Sequence, residues 1–400
     1  MLPQNTLYAI KEPFFELPKK DEPLIRVDHP SNLVKVLRTQ RGALKEVNGG
    51  ATKEVPTALQ FKDDGNAAFK DKDYLSAVDL YTEALQACGD DDQSLRGIAL
   101  RNRAIVNLHL QRYESAAADA KSSLVSVEEL DEKTKKSNAT AHFRAGRAEY
   151  QLHNLIAAKD HFQKVIELTP KDADAERELT RTQTRLKEQA GEYDFKALSK
   201  LISPKHNRLD HASFTANVEV RPSQKHGNGL FAIKDIKAGD LIFCEKALAV
   251  AFDSDSNVRR HLIHNLNTGS TVTGPQITLQ ANLVQKMLYN QRLAKEYFKC
   301  HDGGYEPKCK AEVVDGMTAV DAFQTMAIIE DNAFACPTTR SSDLVGKSAE
   351  EMQVGSVGFW VTAAYMNSAC DGNARRAFIG KKRTQCPCYP MGKADDVQAT

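Results

Sequence analysis

Small and aromatic residues recur in a fixed order between residues 57 and 192, at the three- and four-residue spacing of paired amphipathic helices. Small residues let two antiparallel helices approach closely, and aromatic rings fill the space between them. The pattern predicts three helical hairpins followed by a capping helix over residues 172–192. The recurring positions are Phe61, Gly65, Phe69, Tyr74, Ala77, Tyr81 and Ala84 in the first copy, Ala104, Tyr113 and Ala116 in the second, and Gly146, Leu155, Ala158, Phe162 and Pro170 in the third.

A pattern of short strands replaces the helical one after residue 214. The turn at Gly227, Asn228 and Gly229 has two glycines, which allow positive φ and leave bare backbone that a ligand can approach closely. A plain hairpin turn is the simpler interpretation of such a triplet. The predicted strands cover 218–220, 230–233, 241–243 and 248–252, with a second turn at 238–240.

The remaining segments are less regular. Residues 254–330 are predicted to be mainly helical, with helices over 261–266 and 280–297. Residues 1–56 contain many prolines and are expected to form a poorly packed N-terminal extension. One helix is predicted there from Ser31 to about Lys45, because serine is a good N-cap.

The composition limits the class of protein. Hydrophobic residues make up 41% of the 400 residues, enough for ordinary cores in two or three domains. Lys+Arg 54 against Asp+Glu 53 leaves a net charge of +1, so no basic field indicates direct binding of nucleic acid. No apolar run suggests a signal peptide or a membrane span. Eight scattered cysteines fit a reducing compartment, cytoplasmic or nuclear.

The repeated helical frame resembles the tetratricopeptide repeat (TPR). The interval is 39 residues from Gly65 to Ala104 and 42 from Ala104 to Gly146. The family period is about 34, and the surplus lies in the polar stretches 89–94 and 128–137. Three repeats are the smallest number that buries a continuous core, so the resemblance implies an α-solenoid.

Four polar residues of this solenoid resemble the two-carboxylate clamp of co-chaperone TPR domains, which hold the C-terminal Glu-Glu-Val-Asp tails of heat-shock chaperones. Ala58, Gly97 and Ala139 are taken as the first positions of the repeats. The clamp residues are Lys62 and Asn66 at positions five and nine of the first repeat, Asn102 at position six of the second, and Arg144 at position six of the third. The family has a lysine where this chain has Thr140. Ordinary polarity of groove-facing helices is the alternative explanation.

Two motifs in the second half resemble the signatures of a SET domain, the fold of most protein-lysine methyltransferases. The first is the turn KHGNGLFA, which starts at Lys225 and is followed by DIKAGDLIFCE. The second, YMNSACDGN followed by ARRAFIG, starts at Tyr365 and is similar to the family's N-H-S-C-x-P-N and its following strand. The resemblance implies transfer of a methyl group from S-adenosyl-L-methionine to a lysine side chain of a protein substrate.

The same resemblance implies a set of cofactor-binding residues. The turn is expected to hold the cofactor mostly through its backbone, and the second signature through side chains. A segment with the pattern N-x-F contributes Asn332, for which an asparagine closing a turn after an apolar strand is the alternative. The implied residues are His226, Gly227, Asn228, Gly229, Asn332, Asn367 and Ser368.

The chain departs from the SET pattern at several positions. Ser368, Ala369 and Gly372 stand where the family has His, Ser and Pro. After Gly380 the family continues through another strand to a C-terminal tyrosine beside the transfer channel, and this chain does not. Pro387, Pro390 and Gly392 are predicted to forbid a central strand there. We therefore expect an unrelated tail, a product of altered splicing or frame, and assign no catalytic residue.

No metal site is predicted. The chain lacks the C-x2-C pairs of the zinc finger that marks the related SET-and-MYND group, so that module is absent. Cys300, His301 and Cys309 lack a fourth ligand, and buried or idle thiols are the simpler interpretation. Cys386 and Cys388 also lack partners for a zinc site.

The predicted architecture is an α+β multidomain protein. An α-solenoid of three TPRs is followed by a β-rich SET-like domain with a helical insertion. Three hypotheses remain: a methyltransferase with a TPR arm, a non-catalytic adaptor that carries a SET remnant, and an incomplete version of an active enzyme. The predicted regions are 1–56 for the extension, 57–192 for the repeats with the capping helix, 193–213 for a linker, 214–380 for the SET domain and 381–400 for the tail.

Overall fold

The chain divides into two compact units, Met1–Leu179 with Ala311–Ala319 and Thr180–Lys310 with Val320–Thr400. The computed structural model describes residues 8–10, 14–16, 24–26, 33–35, 56–89, 91–126, 131–201, 208–223, 227–252, 262–264, 269, 271–306, 313–314, 317–336, 356–367, 374, 377–379 and 386–390.

Paired helices dominate the first unit and confirm the predicted helical solenoid. Consecutive helices pack against each other from α1 to α6, and the first helices of neighbouring pairs, α1 with α3 and α3 with α5, are also in contact. Thr57 and Gln60 begin α1 with a reciprocal capping box. The helices are α1 Ala58–Lys70, α2 Tyr74–Ala87, α3 Gln93–His109, α4 Tyr113–Ser122, α5 Glu132–Gln151, α6 Leu155–Leu168 and α7 Ala173–Gln189, and α7 extends into the second unit.

The turns inside the three hairpins repeat one backbone conformation. Lys72, Gln111 and His153 have φ of 62°, 58° and 62°, values that residues with a Cβ rarely adopt. Counted from Ala58 and the other two first positions, each lies at position fifteen of its repeat. The backbone therefore supports the register in which the clamp positions were counted.

A glycine and an aromatic ring pack face to face in the first and third hairpins. A Cβ on Gly65 would lie 2.8 Å from the ring of Tyr81, and a Cβ on Gly146 would lie 2.8 Å from the ring of Phe162. Because both rings are buried, the absent Cβ is what lets the two helices of each hairpin come this close.

The N-terminal region holds two short ladders where the sequence predicted one helix. The strands are β1 Tyr8–Ile10, β2 Phe14–Glu16, β3 Leu24–Arg26 and β4 Leu33–Lys35. β1 pairs antiparallel with β4, and β2 pairs with β3, so one hairpin is nested inside the other. The predicted helix from Ser31 is therefore wrong over Leu33–Lys35, where pairing with β1 overrides a serine N-cap signal.

The second unit begins with the C-terminal part of α7 and a short helix, α8 Phe195–Leu201. Glu188 on α7 accepts a hydrogen bond from the backbone N–H of Ala212 at 2.8 Å, and Tyr193 donates to the Ala212 carbonyl at 2.7 Å. Arg181 pairs with Asp210 at 2.7 Å. The residues predicted as a linker are thus hydrogen-bonded to α7 within this unit.

The described residues in the rest of this unit form short antiparallel strands and three helices. β5 and β6 form a hairpin, β8 pairs with β14 and β14 with β13, and β16 lies between β15 and β7. The helices are α9 Gly274–Leu288, α10 Gln291–Tyr297 and α11 Ala322–Asn332. The strands are β5 Val218–Pro222, β6 Asn228–Ala232, β7 Leu241–Phe243, β8 Ala249–Ala251, β9 Leu262–His264, β10 Thr271–Thr273, β11 Val313–Val314, β12 Met317–Thr318, β13 Phe334–Cys336, β14 Ser356–Phe359, β15 Ala377–Ile379 and β16 Cys386–Pro390, of which β11 and β12 belong to the first unit.

The main core of this unit lies where α9 packs against β8 and β14 and α11 packs against α9. Leu279 and Leu283 on α9, Ile328 on α11 and Phe359 on β14 are fully buried there. Tyr297 joins them, with its ring 4.8 Å from that of Phe359. This packing explains why part of the predicted insertion is helical: its helices supply apolar side chains to a core that lies against the sheet.

Two predictions of local structure fail in this unit. The predicted helix over 261–266 is wrong over Leu262–His264, which form β9 and pair with β10. The prediction that prolines forbid a central strand after Gly380 is also wrong, because Cys386–Pro390 form β16 between two neighbours. Pro387 is paired with β15 and Pro390 with β7.

Of the helices that the structure describes, none is both long enough and apolar enough to cross a membrane.

We expect Gly146→Ala to destabilise the helical unit. The added methyl would meet ring atoms of Phe162 at 2.8 to 3.1 Å. Overpacking of this kind costs about 1–3 kcal/mol, against roughly 1 kcal/mol gained from the higher helix propensity of alanine. Urea unfolding followed by circular dichroism would measure the difference. Gly89→Ala is the control, because a Cβ there meets nothing within 4 Å. Stabilisation of Gly146→Ala by about 1 kcal/mol, the full gain in helix propensity, would contradict this packing.

Candidate functional site

The first candidate site lies on the first helices of the three hairpins. Asn66 on α1, Asn102 on α3 and Arg144 on α5 occupy helices that pack in the order α1, α3, α5. Asn102 Nδ2 donates to Asn66 Oδ1 at 3.0 Å, which joins the first two repeats directly. The structure therefore brings three of the four predicted clamp residues together. Their proposed role in binding a peptide stays a prediction.

Tyr81 on α2 is the residue of this site that sequence reasoning assigned to packing alone. Its hydroxyl donates to Asn66 Oδ1 at 2.8 Å, and it also forms a hydrogen bond with the side chain of Asn102. Burial raises the pKa of Tyr81 to about 12, although Asn102 and the charge of Arg144 act to lower it. The hydroxyl therefore remains a proton donor throughout the physiological range. Comparison of the repeats could have pointed to Tyr81, because the third repeat has Phe162, which lacks a hydroxyl, at the matching position.

Arg144 carries a half-buried positive charge beside these amides. Its guanidinium donates to the backbone carbonyl of Arg101, the residue before Asn102. Burial and the nearby charge of Arg101 lower the pKa of Arg144 to about 10, so it stays charged at neutral pH. Within the described ranges Arg144 forms no ion pair with a carboxylate. A guanidinium that is removed from water without a carboxylate partner favours the binding of an anionic ligand.

Lys62 lies one helical turn before Asn66, at the edge of this cluster. Its ammonium pairs with the neighbouring Asp63 at 2.6 Å, and the side chain is only 16% exposed. An open cavity of about 700 Å³ adjoins it, with Leu59 and Ile98 among the lining residues. The structure thus gives Lys62 an internal partner that a ligand carboxylate would have to displace.

Thr140 does not replace the missing lysine of the clamp. Its hydroxyl donates to the Lys136 carbonyl at 3.0 Å, within α5. The site therefore has one cation fewer than the family pattern at this position.

The second candidate site joins the two motifs of the second unit. A Cβ on Gly229 would lie 2.9 Å from Asn367 Nδ2, so the turn and the second signature are in direct contact. Gly227 has φ of +63°, and Asn228 pairs with Pro222 at the start of β6. Asn367 itself is exposed. Gly229 is buried beneath it, so the Asn367 amide is the part of this contact that a ligand can reach.

His226 and Ser368 were also predicted for this site and lie outside the described residues, as do Ala369 and Gly372.

Glu245 holds the loop that carries Asn367. Its carboxylate accepts the backbone N–H groups of Thr362 at 2.8 Å and Ala363 at 3.0 Å, at the start of a short 3₁₀ helix over Ala363–Tyr365. Burial raises the pKa of Glu245 to about 7, and the N–H donors act to lower it. Sequence reasoning missed this residue because its partners lie more than a hundred positions away.

In the described part of the chain, no hydrogen bond links Asn332 to Gly229 or Asn367. Its amide nitrogen donates to the carbonyls of His301 at 2.7 Å and Ile328 at 2.8 Å. The residue ends α11, so the apolar run before it is a helix rather than the strand considered in the alternative interpretation. These bonds give Asn332 a structural role, and its predicted approach to a cofactor remains untested.

The thiol near this region is buried. Burial raises the pKa of Cys300 to about 11, while its hydrogen bond with Tyr365 acts to lower it. A protonated thiol is a poor metal ligand at neutral pH. Among the residues with described positions, no group of three or more His, Cys, Asp or Glu side chains could hold a metal ion. Cys309 lies outside those residues.

Comparison with known proteins gives one relative that matches most of the chain and others that match about a third of it. No family model matches it. A protein of Gibberella zeae named "Methyltransferase" is 30% identical over 403 residues, which cover 95% of this chain and 52% of the relative. This chain thus spans about half the length of that curated relative. DnaJ homolog subfamily C member 7 of Mus musculus is 34% identical over 139 residues, 34% of this chain and 26% of the relative.

A solved structure, the first TPR of Spaghetti (RPAP3) bound to the HSP90 peptide SRMEEVD, is 28% identical and covers 32% of this chain and 95% of its own, with a TM-score of 0.28. The chain therefore has a homologue over most of its length that is named a methyltransferase, and over about a third of its length it is similar in sequence to a protein whose structure is that of a TPR domain.

We expect the stability of the second unit to decrease as the pH rises through 7, because of Glu245. Its folded-state pKa of about 7 lies above the ordinary value of 4.5, so the folded state holds a proton that the unfolded state has lost. This contribution is complete below pH 4.5 and is lost above 7. Relative to Glu245→Gln, the wild type should lose roughly 1–3 kcal/mol between about pH 5 and 8. Parallel pH profiles of the two proteins in denaturant unfolding would contradict the assignment.

Proposed function

We propose that the cluster of Asn66, Asn102 and Arg144 binds the C-terminal carboxylate of an acidic peptide tail, of the kind that ends heat-shock chaperones. One observation carries the proposal. A desolvated guanidinium without a carboxylate partner in the described residues stands beside two side-chain amides joined at 3.0 Å. Unpaired buried charge costs free energy, and a bound carboxylate would relieve that cost.

The chemistry of the groups fits a carboxylate better than a neutral ligand. Arg144 offers charge-assisted hydrogen bonds, and asparagine amides offer neutral N–H donors. Lys62 adds a second cation once it exchanges Asp63 for the ligand. The neighbouring cavity, with Leu59 and Ile98, suits an apolar side chain of the same peptide.

Arg144→Ala should weaken binding of a peptide ending in Glu-Glu-Val-Asp by roughly thirtyfold or more, because a truncated partner of a buried charged pair costs about 2–5 kcal/mol. Fluorescence anisotropy with a labelled peptide and the full chain would measure this. Lys164→Ala is the matched control, since it removes the same charge from an exposed ion pair on α6. Unchanged affinity in Arg144→Ala would contradict the proposal, and so would an equal loss in Lys164→Ala.

We also propose that the second unit transfers a methyl group to lysine side chains of protein substrates. The relative named a methyltransferase aligns with 95% of this chain, which supports the proposal along with the contact between Gly229 and Asn367. S-adenosyl-L-methionine would supply an activated methyl group when bound. Gly227 would hold it through exposed backbone and Asn367 through its amide, while Glu245 fixes the loop on which Asn367 lies.

Calorimetric titration of S-adenosyl-L-methionine into the purified 400-residue chain tests this second function. We expect binding, and a loss of about tenfold or more in Asn367→Ala, since a hydrogen bond to a charged group contributes roughly 1.5–3 kcal/mol. Gln285→Ala removes an exposed amide from α9 and should bind like the wild type. Absence of binding by the wild type would contradict methyl transfer and favour a non-catalytic adaptor that works through the TPR groove.

A further inference from the structure

We propose that the hydroxyl of Tyr81 is a positioning group, which fixes the amides of Asn66 and Asn102 so that the groove selects an anionic terminus. The inference rests on the proposed carboxylate-binding function and names the residue that prepares the site for it. Tyr81 would act through the two asparagines without touching the ligand.

The position of Tyr81 shows that its hydroxyl is not needed for packing. Tyr81 and Phe162 occupy the same place in the first and third repeats, sixteen residues after a glycine, Gly65 or Gly146. Both rings are buried and come equally close to their glycine, at 2.8 Å from a built Cβ. A phenyl ring therefore satisfies the packing of this fold at this place. The hydroxyl of Tyr81 is an addition that the third repeat lacks.

The hydrogen bonds of that hydroxyl set the direction of an amide. Asn66 Oδ1 accepts from Tyr81 Oη at 2.8 Å and from Asn102 Nδ2 at 3.0 Å. With the carbonyl oxygen turned toward two donors, the NH₂ group of Asn66 is the part left to face a ligand. Its described partner, Asp63, lies 3.5 Å away, at the limit for a hydrogen bond.

Rotating the Asn66 amide by half a turn would be unfavourable while Tyr81 keeps its proton. The NH₂ group of Asn66 would then face the NH₂ group of Asn102, and the Tyr81 hydroxyl would lose the oxygen to which it donates. The carbonyl oxygen would face the ligand, where it repels a carboxylate. The pKa of about 12 for Tyr81 keeps this hydroxyl protonated at every physiological pH. The amide is therefore preorganised, and a ligand does not lose affinity to orienting it.

Removing the hydroxyl should weaken binding without loss of the fold. In Tyr81→Phe only Asn102 still donates to the Asn66 oxygen, so the amide can rotate. We expect a three- to tenfold loss of affinity for a peptide ending in Glu-Glu-Val-Asp, about the effect of one neutral hydrogen bond. The thermal midpoint should shift by no more than about 4 °C.

Tyr74→Phe is the matched control. It removes a hydroxyl from the same helix, where the ring of Tyr74 stacks on His109 at 4.7 Å. Its affinity for the peptide should equal that of the wild type. An equal loss in both variants would show a general response of α2 and would overturn the inference.

A second measurement reports on the amides without any peptide. Nuclear magnetic resonance of the full chain with isotope-labelled asparagine would follow the side-chain NH₂ signals of Asn66 and Asn102. We expect fixed, dispersed NH₂ signals in the wild type, and exchange-broadened or shifted signals in Tyr81→Phe but not in Tyr74→Phe. Unchanged signals together with wild-type affinity in Tyr81→Phe would overturn the inference and leave the proposed function standing. A wild type with fixed amides that binds no peptide would overturn the proposed function, and with it the selection of an anionic terminus.

Discussion

The close contact between a glycine on one helix and an aromatic ring on the next is the constraint on which the candidate groove depends. At Gly65 the ring of Tyr81 occupies the space that a Cβ would fill, and this brings the Tyr81 hydroxyl to within 2.8 Å of Asn66. A larger residue at Gly65 would push the ring, and the hydroxyl with it, away from α1. The same ring therefore packs the hairpin and donates a hydrogen bond to a polar side chain of the candidate site.

The second unit shows the same dependence of a polar site on buried contacts. Glu245 accepts hydrogen bonds from the loop before Asn367, more than a hundred residues further along the chain. Burial raises the pKa of Glu245 to about 7, so its charge changes near neutral pH. The absence of a Cβ at Gly229 then lets the Asn367 amide lie directly against the turn. Two segments that are distant in sequence therefore become one surface through a buried carboxylate and a glycine.

Periodicity was enough to predict the helical hairpins, because amphipathic spacing and small residues act locally in each repeat. It also gave the register that brings Asn66 and Asn102 together. Tyr81 was predicted only as packing, since nothing in its own neighbourhood shows that Asn66 lies opposite its hydroxyl. Two predictions, of a helix from Ser31 and of no central strand at Pro387, were wrong for the same reason. In both places pairing with another strand overrode the local sequence signal. Glu245 went unnoticed because its role exists only in the folded chain.

Recognition of a terminal carboxylate by the groove is tested most directly by calorimetric titration of the wild-type chain with two peptides. They differ only at the C-terminus, which is a free acid in one and a carboxamide in the other. We predict that the free acid binds at least about thirtyfold more tightly, because the carboxamide lacks the charge that Arg144 would pair with. Equal affinity for the two peptides would contradict this recognition, and would leave the cluster on α1, α3 and α5 as a structural feature of the solenoid.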